Sequence, residues 1–312
     1  MNKILLGSVA LAALLAGPAM AADMGVPRAA YVPPPSWTGF YVGGNFGGVW
    51  GNTNPGLQTG CLPGSPPSAV GTNGFGVVPN LPSDNCYWTF GSGAPSNISV
   101  ATQIGTQPFH NKGWTGGGQI GFNYQYQWAV FGIEADFQAF RPKGSQNVVG
   151  IYPVVNPAQN CGNSGAGCQF GFTESSDGKW LTTVRGRVGA VWGNFMVYGT
   201  MGVAWVKTDF TSNFADTTTS PPQVNGGLVS NLTVSRTKAG PVGGAGLSYM
   251  FMRNIIVSVE YLRVEIWDAG DNALAVTTNT LPGSAPGIFR GNFHYDTSFQ
   301  ENIVRAKLDY KF

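Results

Sequence analysis

The sequence predicts an all-β protein: an eight-stranded antiparallel up-and-down transmembrane β-barrel with four long outer loops and three short periplasmic turns. Three observations predict it. Apolar and polar residues alternate in eight segments, the connections between these segments alternate between long and short, and charged residues make up only 10% of the chain. Soluble domains usually carry about 25% charged residues, so the low charge favours strands that face lipid.

The C-terminal segment has the clearest alternation. Successive side chains of a strand point to opposite faces. One face of this segment is apolar or aromatic and the other is fully charged: Val304, Ala306, Leu308, Tyr310 and Phe312 against Arg305, Lys307, Asp309 and Lys311. A transmembrane barrel turns its apolar face to lipid and its polar face to the lumen.

Eight alternating segments predict the eight strands. Each is near or above the roughly 9–11 residues that a tilted strand needs to cross the hydrocarbon. The predicted strands are Thr38–Trp50, Gly113–Gln125, Ala129–Arg141, Trp180–Trp192, Phe195–Thr208, Lys238–Phe251, Ile255–Trp267 and Asn302–Phe312.

The connections between the segments predict the topology. Three are tight turns, and the four between them are long and rich in Gly, Pro, Asn, Ser and Thr: Gly51–Lys112, Pro142–Lys179, Asp209–Thr237 and Asp268–Glu301. Bacterial barrels have short periplasmic turns and longer outer loops. We therefore expect both termini in the periplasm.

Aromatic residues at both strand ends predict two membrane-interface belts, where Trp and Tyr are favoured. The outer belt is predicted to contain Trp50, Trp114, Phe140, Trp180, Trp205 and Trp267. The belt on the turn side is predicted to contain Phe40, Tyr124, Trp128, Phe131, Trp192, Phe195, Tyr249, Phe251, Tyr310 and Phe312.

The N-terminus predicts export. Lys3 precedes an apolar stretch, Ile4–Ala16, and a small-x-small cleavage pattern follows at Ala19–Ala21. We expect residues 1–21 to be a cleaved signal peptide, residues 22–36 a Pro-rich periplasmic linker, and residues 37–312 the barrel.

Four cysteines fit an oxidising compartment. Three pairings are possible, and we favour Cys61–Cys86 and Cys161–Cys168 because each pair falls within one predicted loop.

Charged residues at inward strand positions predict a charge ladder in the lumen: Glu134, Asp136, Arg185, Arg187, Glu260, Arg305, Lys307, Asp309 and Lys311. Counting from the turns predicts that Glu134 faces Arg187, Asp136 faces Arg185, and Glu260 faces Arg305. Inward glycines leave room for water: Gly43, Gly47, Gly117, Gly121, Gly202 and Gly244. Two interpretations remain open, a structural plug that fills the narrow barrel and a low-conductance pore for ions or small solutes.

The sequence predicts no catalytic, cofactor or metal site. Only His110 and His294 are present, both in predicted outer loops, so a Ser–His catalytic arrangement has no framework on the strands. A lipid-modifying enzyme and a haem binder are the remote alternatives. A net charge of +2 gives no support for nucleic-acid binding.

Several segments together resemble the alphaproteobacterial outer-membrane immunogenic proteins, small barrels of the "porin family" related to opacity proteins and to the transmembrane domain of outer membrane protein A. The matching segments are Trp37–Gly44, Gly113–Tyr124, Val130–Phe137, Thr183–Gly189 and Lys307–Phe312.

The resemblance implies a cell outer-membrane barrel with surface-exposed antigenic loops, and it does not imply an enzyme. It also implies that the barrel-assembly machinery reads the terminal aromatic residues, Tyr310 and Phe312. The remaining expected partners are outer-membrane lipids, lipopolysaccharide and, through the loops, host or cell-surface ligands.

Overall fold

The computed structural model describes residues 35–61, 103–151, 169–216, 229–267, 271–279 and 287–312. They form ten strands: β1 Gly39–Cys61, β2 Phe109–Tyr126, β3 Ala129–Phe140, β4 Lys143–Ile151, β5 Gln169–Trp192, β6 Phe195–Asp216, β7 Val229–Met252, β8 Ile255–Ile266, β9 Asp271–Asn279 and β10 Gly287–Lys311. In this part of the chain no helix is both long and apolar enough to cross a membrane.

Eight of the strands close into a ring. Antiparallel pairing runs from β1 through β2, β3, β5, β6, β7, β8 and β10, and β10 pairs with β1 again. The structure thereby confirms the predicted fold class. The short strands β4 and β9 lie beside β5 and β10, respectively, in segments that we had predicted to be outer loops.

The two ends of the barrel differ. We call one the turn end, because it carries the two-residue turns at 127–128, 193–194 and 253–254. Phe312 lies at this end, where its backbone N–H donates to the Phe40 carbonyl over 2.9 Å. We call the opposite end, which carries the long connections, the loop end.

Six strands of the ring are longer than predicted at the loop end. β5 begins at Gln169 rather than Trp180, and β6 ends at Asp216 rather than Thr208. β7 begins at Val229 rather than Lys238 and β2 at Phe109 rather than Gly113, while β1 and β10 stay paired as far as Cys61 and Gly291. We call the part of the barrel wall that lies beyond the exposed Trp50, Trp114, Trp205 and Trp267, on the side of the long connections, the extension.

The extension reverses the polarity of the barrel. Along β6, Phe210 and Phe214 are buried inside, while Thr211 and Asn213 face outward. Nearer the turn end the same strand exposes Met201 (74%) to the outside. An outer surface that changes from apolar to polar marks where lipid ends, because charged and polar groups on a lipid face are costly. The predicted loops looked unstructured because their outward positions are polar and small.

The predicted aromatic belts agree with the structure except at one residue. Trp50, Trp114, Trp205 and Trp267 are between 37% and 63% exposed on the outer surface near the loop end. Phe140 is instead 1% exposed and packs inside the barrel, because its register position on β3 is one residue away from the outward-facing set. The predicted belt of the turn end is exposed throughout.

The predicted signal peptide, nearly all of the linker, and Cys86, Cys161 and Cys168 lie outside the described residues. The side chain of Cys61, at the end of β1, also lies outside them.

Candidate functional site

The lumen contains the predicted charged side chains on the inner face of four strands. Alternation places them inward on β3, β5, β8 and β10, and each is 8% exposed or less: Glu134, Asp136, Arg185, Arg187, Glu260, Arg305, Lys307, Asp309 and Lys311. Buried charges must be paired and hydrogen-bonded, so their partners decide what this layer can do.

Glu134 is the centre of the network. Arg185 Nη2 donates to its Oε1 over 2.6 Å, and Arg187 Nη2 donates to its Oε2 over 2.7 Å. Lys307 Nζ, which comes from the far wall, lies 2.6 Å from both oxygens. The Tyr41 hydroxyl donates a further bond of 2.7 Å to Oε2. One carboxylate therefore joins β1, β3, β5 and β10 across the lumen.

Arg305 forms the second junction. Its Nη2 lies 2.9 Å from Asp136 Oδ2 and 2.7 Å from Glu260 Oε2, and its Nε donates to the same Glu260 oxygen over 2.9 Å. Arg185 closes the circuit, with Nη2 3.0 Å from Asp136 Oδ2 and Nη1 3.2 Å from Glu260 Oε2. Arginine suits this role because its planar fork can reach two acids at once.

Two tyrosines hold the Arg187 guanidinium from either side. Its Cζ lies 5.5 Å from the centre of the Tyr41 ring and 4.3 Å from that of Tyr198, within cation–π range. Glycines make room for the rings, since a Cβ on Gly121 would overlap Tyr41 and one on Gly246 would overlap Tyr198. The Tyr198 hydroxyl donates to Glu260 over 2.9 Å.

The two predicted pairs on β3 and β5 are in contact, although the backbone register is shifted by two residues. Arg187 lies 2.7 Å from Glu134 and Arg185 lies 3.0 Å from Asp136, whereas Glu134 is directly opposite Arg185 and Asp136 is opposite Thr183. The register is shifted because β5 runs two residues beyond the start of β3, and barrel closure imposes such staggers. The predicted pairing of Glu260 with Arg305 agrees with the β8–β10 register.

Asp309 and Lys311 do not bond directly to the network. Gln119 Nε2 donates to Asp309 Oδ1 over 2.6 Å, and Lys311 Nζ donates to the Ser36 carbonyl over 2.6 Å. The bonded network consists of three acids and four bases: Glu134, Asp136 and Glu260 with Arg185, Arg187, Arg305 and Lys307. Each of the four cations is paired with at least one carboxylate, which offsets part of the cost of burying its charge.

Apolar layers bound the charges on both sides. On the turn side, Trp37 packs with five strand residues, and Gln125 holds its backbone through a bond of 2.8 Å to the Trp37 N–H. The turn-side layer consists of Trp37, Val130, Met196, Tyr198, Met250 and Ile256. The loop-side layer consists of Val49, Phe140, Leu181, Ala204, Val206, Val242, Leu262, Val264, Ile266, Phe299 and Ile303.

The inward glycines leave less room than we predicted. A Cβ on Gly43 would overlap the Asp309 carboxylate, one on Gly47 the Arg305 side chain, and one on Gly117 the Gln138 side chain. The space that we assigned to water is therefore filled by neighbouring side chains.

The extension encloses a further acid that the sequence analysis missed. Glu174 on β5 is fully buried near Phe172 and Phe214. Gln146 Nε2 donates to its Oε2 over 2.7 Å, and the Ser212 hydroxyl lies 3.5 Å from its Oε1. Burial raises the pKa of Glu174 to about 7. Its position two residues after Phe172, on the inward face, was the signal that could have identified it.

The described residues include side chains of the kinds that bind metal ions. No group of three His, Cys, Asp or Glu side chains among them has the arrangement of a metal site. The His110 ring pairs through Nδ1 with Asn52 Oδ1 at 2.7 Å on the exposed surface. Tyr41 and Tyr198, which the ladder prediction omitted, follow the same inward alternation and could have been found by it.

Replacing Glu134 with Ala should destabilise the barrel by about 3–5 kcal/mol, because it leaves Arg185, Arg187 and Lys307 buried without their common acid. Urea unfolding of the refolded protein in lipid vesicles measures this. The matched control is Glu265→Gln, which breaks the exposed Arg263–Glu265 pair at 2.8 Å and should cost at most about 1 kcal/mol. Equal effects of the two substitutions would contradict the network.

Replacing Glu174 with Gln should remove a pH dependence from the extension. The folded pKa of about 7 lies above the ordinary value of 4.5, so the folded state binds more protons between these values. The stability of the extension is therefore highest below pH 4.5 and falls as pH rises to 7, by roughly 2–3 kcal/mol. Hydrogen exchange of β5 and β6 at matched pH should show this fall in the wild type and not in Glu174→Gln. Parallel curves for the two proteins would rule out Glu174 as its source.

Comparison with known proteins identifies the family. The family model described as "Outer membrane protein beta-barrel domain" matches residues 9–284. The chain is 28% identical to the 31 kDa outer-membrane immunogenic proteins of Brucella melitensis biotype 1 and Brucella suis biovar 1, with 100% of each chain covered. Similar solved structures include the outer membrane protease OmpT from Escherichia coli (10% identity, 88% of this chain and 97% of that chain, TM-score 0.39). Another is OprG from Pseudomonas aeruginosa (11% identity, 88% and 97%, TM-score 0.32). Since the family model covers most of the sequence, the chain belongs to the outer membrane protein beta-barrel domain family and is a β-barrel protein of the cell outer membrane.

Proposed function

We propose that this protein is a structural, surface-exposed barrel whose lumen is plugged and whose loop end is an antigenic and interaction surface. The observation that carries the proposal is the order of layers in the lumen. A network of paired charges lies between two apolar layers, and an ion that moved along the axis would have to cross all three.

The plug is favoured over the pore on energetic grounds. Each of the four network cations (Arg185, Arg187, Arg305 and Lys307) already has a carboxylate partner at 2.6–3.2 Å, so a passing ion would have to replace bonds within the network. Hydrophobic constrictions also block conduction by excluding water, and Trp37 and Leu262 belong to such constrictions. A low-conductance pore would need both apolar layers to open.

The loop end faces the cell exterior in this proposal. The turns at the other end are two residues long, as is typical of periplasmic turns, whereas long connections leave the loop end. The outward surface of the extension is polar, as an exposed surface requires. Both termini then lie in the periplasm. The Brucella relatives, which are described as immunogenic, support a role for the exposed end in recognition.

An enzymatic role receives no support from the lumen. Glu134, Asp136 and Glu260 are each paired with cations, so these carboxylates are not poised to exchange a proton with a substrate.

The first test is single-channel conductance of the refolded protein in a planar bilayer, with folding checked by heat-modifiable migration on gels. We expect no reproducible steps from the wild type. A variant with Trp37→Ala, Phe140→Ala and Leu262→Ala, which trims both apolar layers, should conduct intermittently. Steps from the wild type that change in Arg185→Gln would overturn the plug and establish a charged pore.

The second test concerns orientation. Asn213→Cys, on the outward face of the extension, should react with a membrane-impermeant maleimide on intact cells. The matched control, Gln127→Cys in a turn, should react only after the cells are permeabilised. Wild-type cells report the background from the native cysteines. The reverse pattern of labelling would invert the proposed orientation.

A further inference from the structure

Three basic side chains form a patch on the outer wall of the barrel. Lys112 on β2 lies directly opposite Lys143 on β4 in the strand register. Arg141, two residues before Lys143, is held beside β2 by a bond of 2.9 Å from its backbone N–H to the Trp114 carbonyl. All three side chains are exposed, and that of Lys143 is 71% exposed. We call these three residues the basic patch.

The basic patch lies at the height of the aromatic belt. Lys112 pairs with Trp50 across β1 and β2, and Arg141 lies beside Trp114. The two tryptophans are 47% and 48% exposed on the outer surface. Tryptophan prefers the level of lipid headgroups, so the cations lie at the level where headgroup phosphates are found.

The basic patch has few acidic partners among the described residues. Within the described part of the chain, neither Lys112 nor Arg141 has a carboxylate within 4 Å. Lys143 has only Asp177, at 3.8 Å, and Asp177 is already bound by Lys179 at 2.8 Å. Like charges directly opposite each other on adjacent strands are destabilising. An external anion would relieve this repulsion.

Two other cations at this end of the barrel differ in that respect. Lys179 lies 2.8 Å from Asp177 and 3.2 Å from Asp209, and Arg263 Nε lies 2.8 Å from Glu265. The basic patch is thus distinguished by its missing acids and not merely by the presence of cations. Arginine can bind a phosphate through two parallel hydrogen bonds, and lysine contributes a point charge.

We propose that Lys112, Arg141 and Lys143 bind the phosphate groups of lipopolysaccharide, the phosphorylated glycolipid of the outer leaflet, against the Trp50–Trp114 edge of the barrel. The inference rests on the proposed orientation, which brings this end of the wall into the outer leaflet. Acyl chains of the same molecule would lie on the apolar surface below, where Phe46 stacks on Trp114 at 6.0 Å. A ligand with both phosphates and acyl chains therefore matches the basic patch and the surface beneath it.

The test measures lipid binding by the purified, refolded protein in detergent. Native mass spectrometry would quantify binding of diphosphorylated lipid A, its dephosphorylated form, and phosphatidylglycerol. We expect the wild type to prefer diphosphorylated lipid A. The triple variant Lys112→Gln, Arg141→Gln, Lys143→Gln should bind it at least about tenfold more weakly, since each basic side chain near an anionic surface contributes roughly a factor of five.

Two controls isolate the patch. Lys179→Gln removes a neutralised cation of the same wall and should leave binding unchanged. The charge-conserving triple variant Lys112→Arg, Arg141→Lys, Lys143→Arg should retain most of the binding of diphosphorylated lipid A. If the glutamine variant does not fold, this variant still tests the basic patch. Equal losses in Lys179→Gln and the glutamine variant would overturn the proposal. So would loss in the charge-conserving variant, or equal wild-type binding of all three lipids.

The two proposals can fail separately. Lipid preference in detergent does not depend on how the barrel is inserted in cells, whereas cysteine labelling does. External labelling at Asn213 without a lipid A preference would remove only the lipid site. A lipid A preference without external labelling would instead remove the orientation.

Discussion

Burying ionised side chains within a barrel that is surrounded by lipid is the constraint on which the rest of this structure depends. A single unpaired charge there would cost several kcal/mol, and the network joins three acids to four bases inside the lumen. Glu134 accepts hydrogen bonds from several partners, and Arg305 donates hydrogen bonds to several partners, on different strands. The bonds cross the lumen, so they also fix the distance between opposite walls.

The surroundings of the network follow from this constraint. Tyr41 and Tyr198 supply hydroxyl donors to the acids and ring faces to Arg187, and glycines on the facing strands make space for them. The apolar layers at either side keep water from the charges, which strengthens each ion pair because the local dielectric is low. The same dry surroundings are what make the lumen a poor route for ions.

The aromatic belt near the loop end separates two kinds of barrel wall. On its turn side the outside is apolar and the inside is charged, whereas in the extension the outside is polar and the inside contains Phe172, Phe210 and Phe214. The surroundings of the wall explain the reversal, since apolar side chains are favoured on a surface that faces lipid and polar side chains on a surface that faces water. The neutralised and unneutralised cations both lie at this boundary. Both of our proposals therefore concern surfaces of the barrel: the loop end for recognition and the basic patch for lipid.

The sequence by itself determined the fold class, the eight crossings, the tight turns and the identity of the charged lumen residues, because alternation with a period of two is a local property of a strand. It also located every residue of the belt at the turn end. Only the tertiary structure decided that Glu134 faces Arg185, that Phe140 is inside, and that Lys112 meets Lys143. These contacts depend on the stagger between neighbouring strands, which closure of the whole ring sets and no single segment encodes. The extension was missed for a related reason: its strands are recognisable only when their inward phenylalanines meet across the barrel, and their outward residues alone resemble a loop.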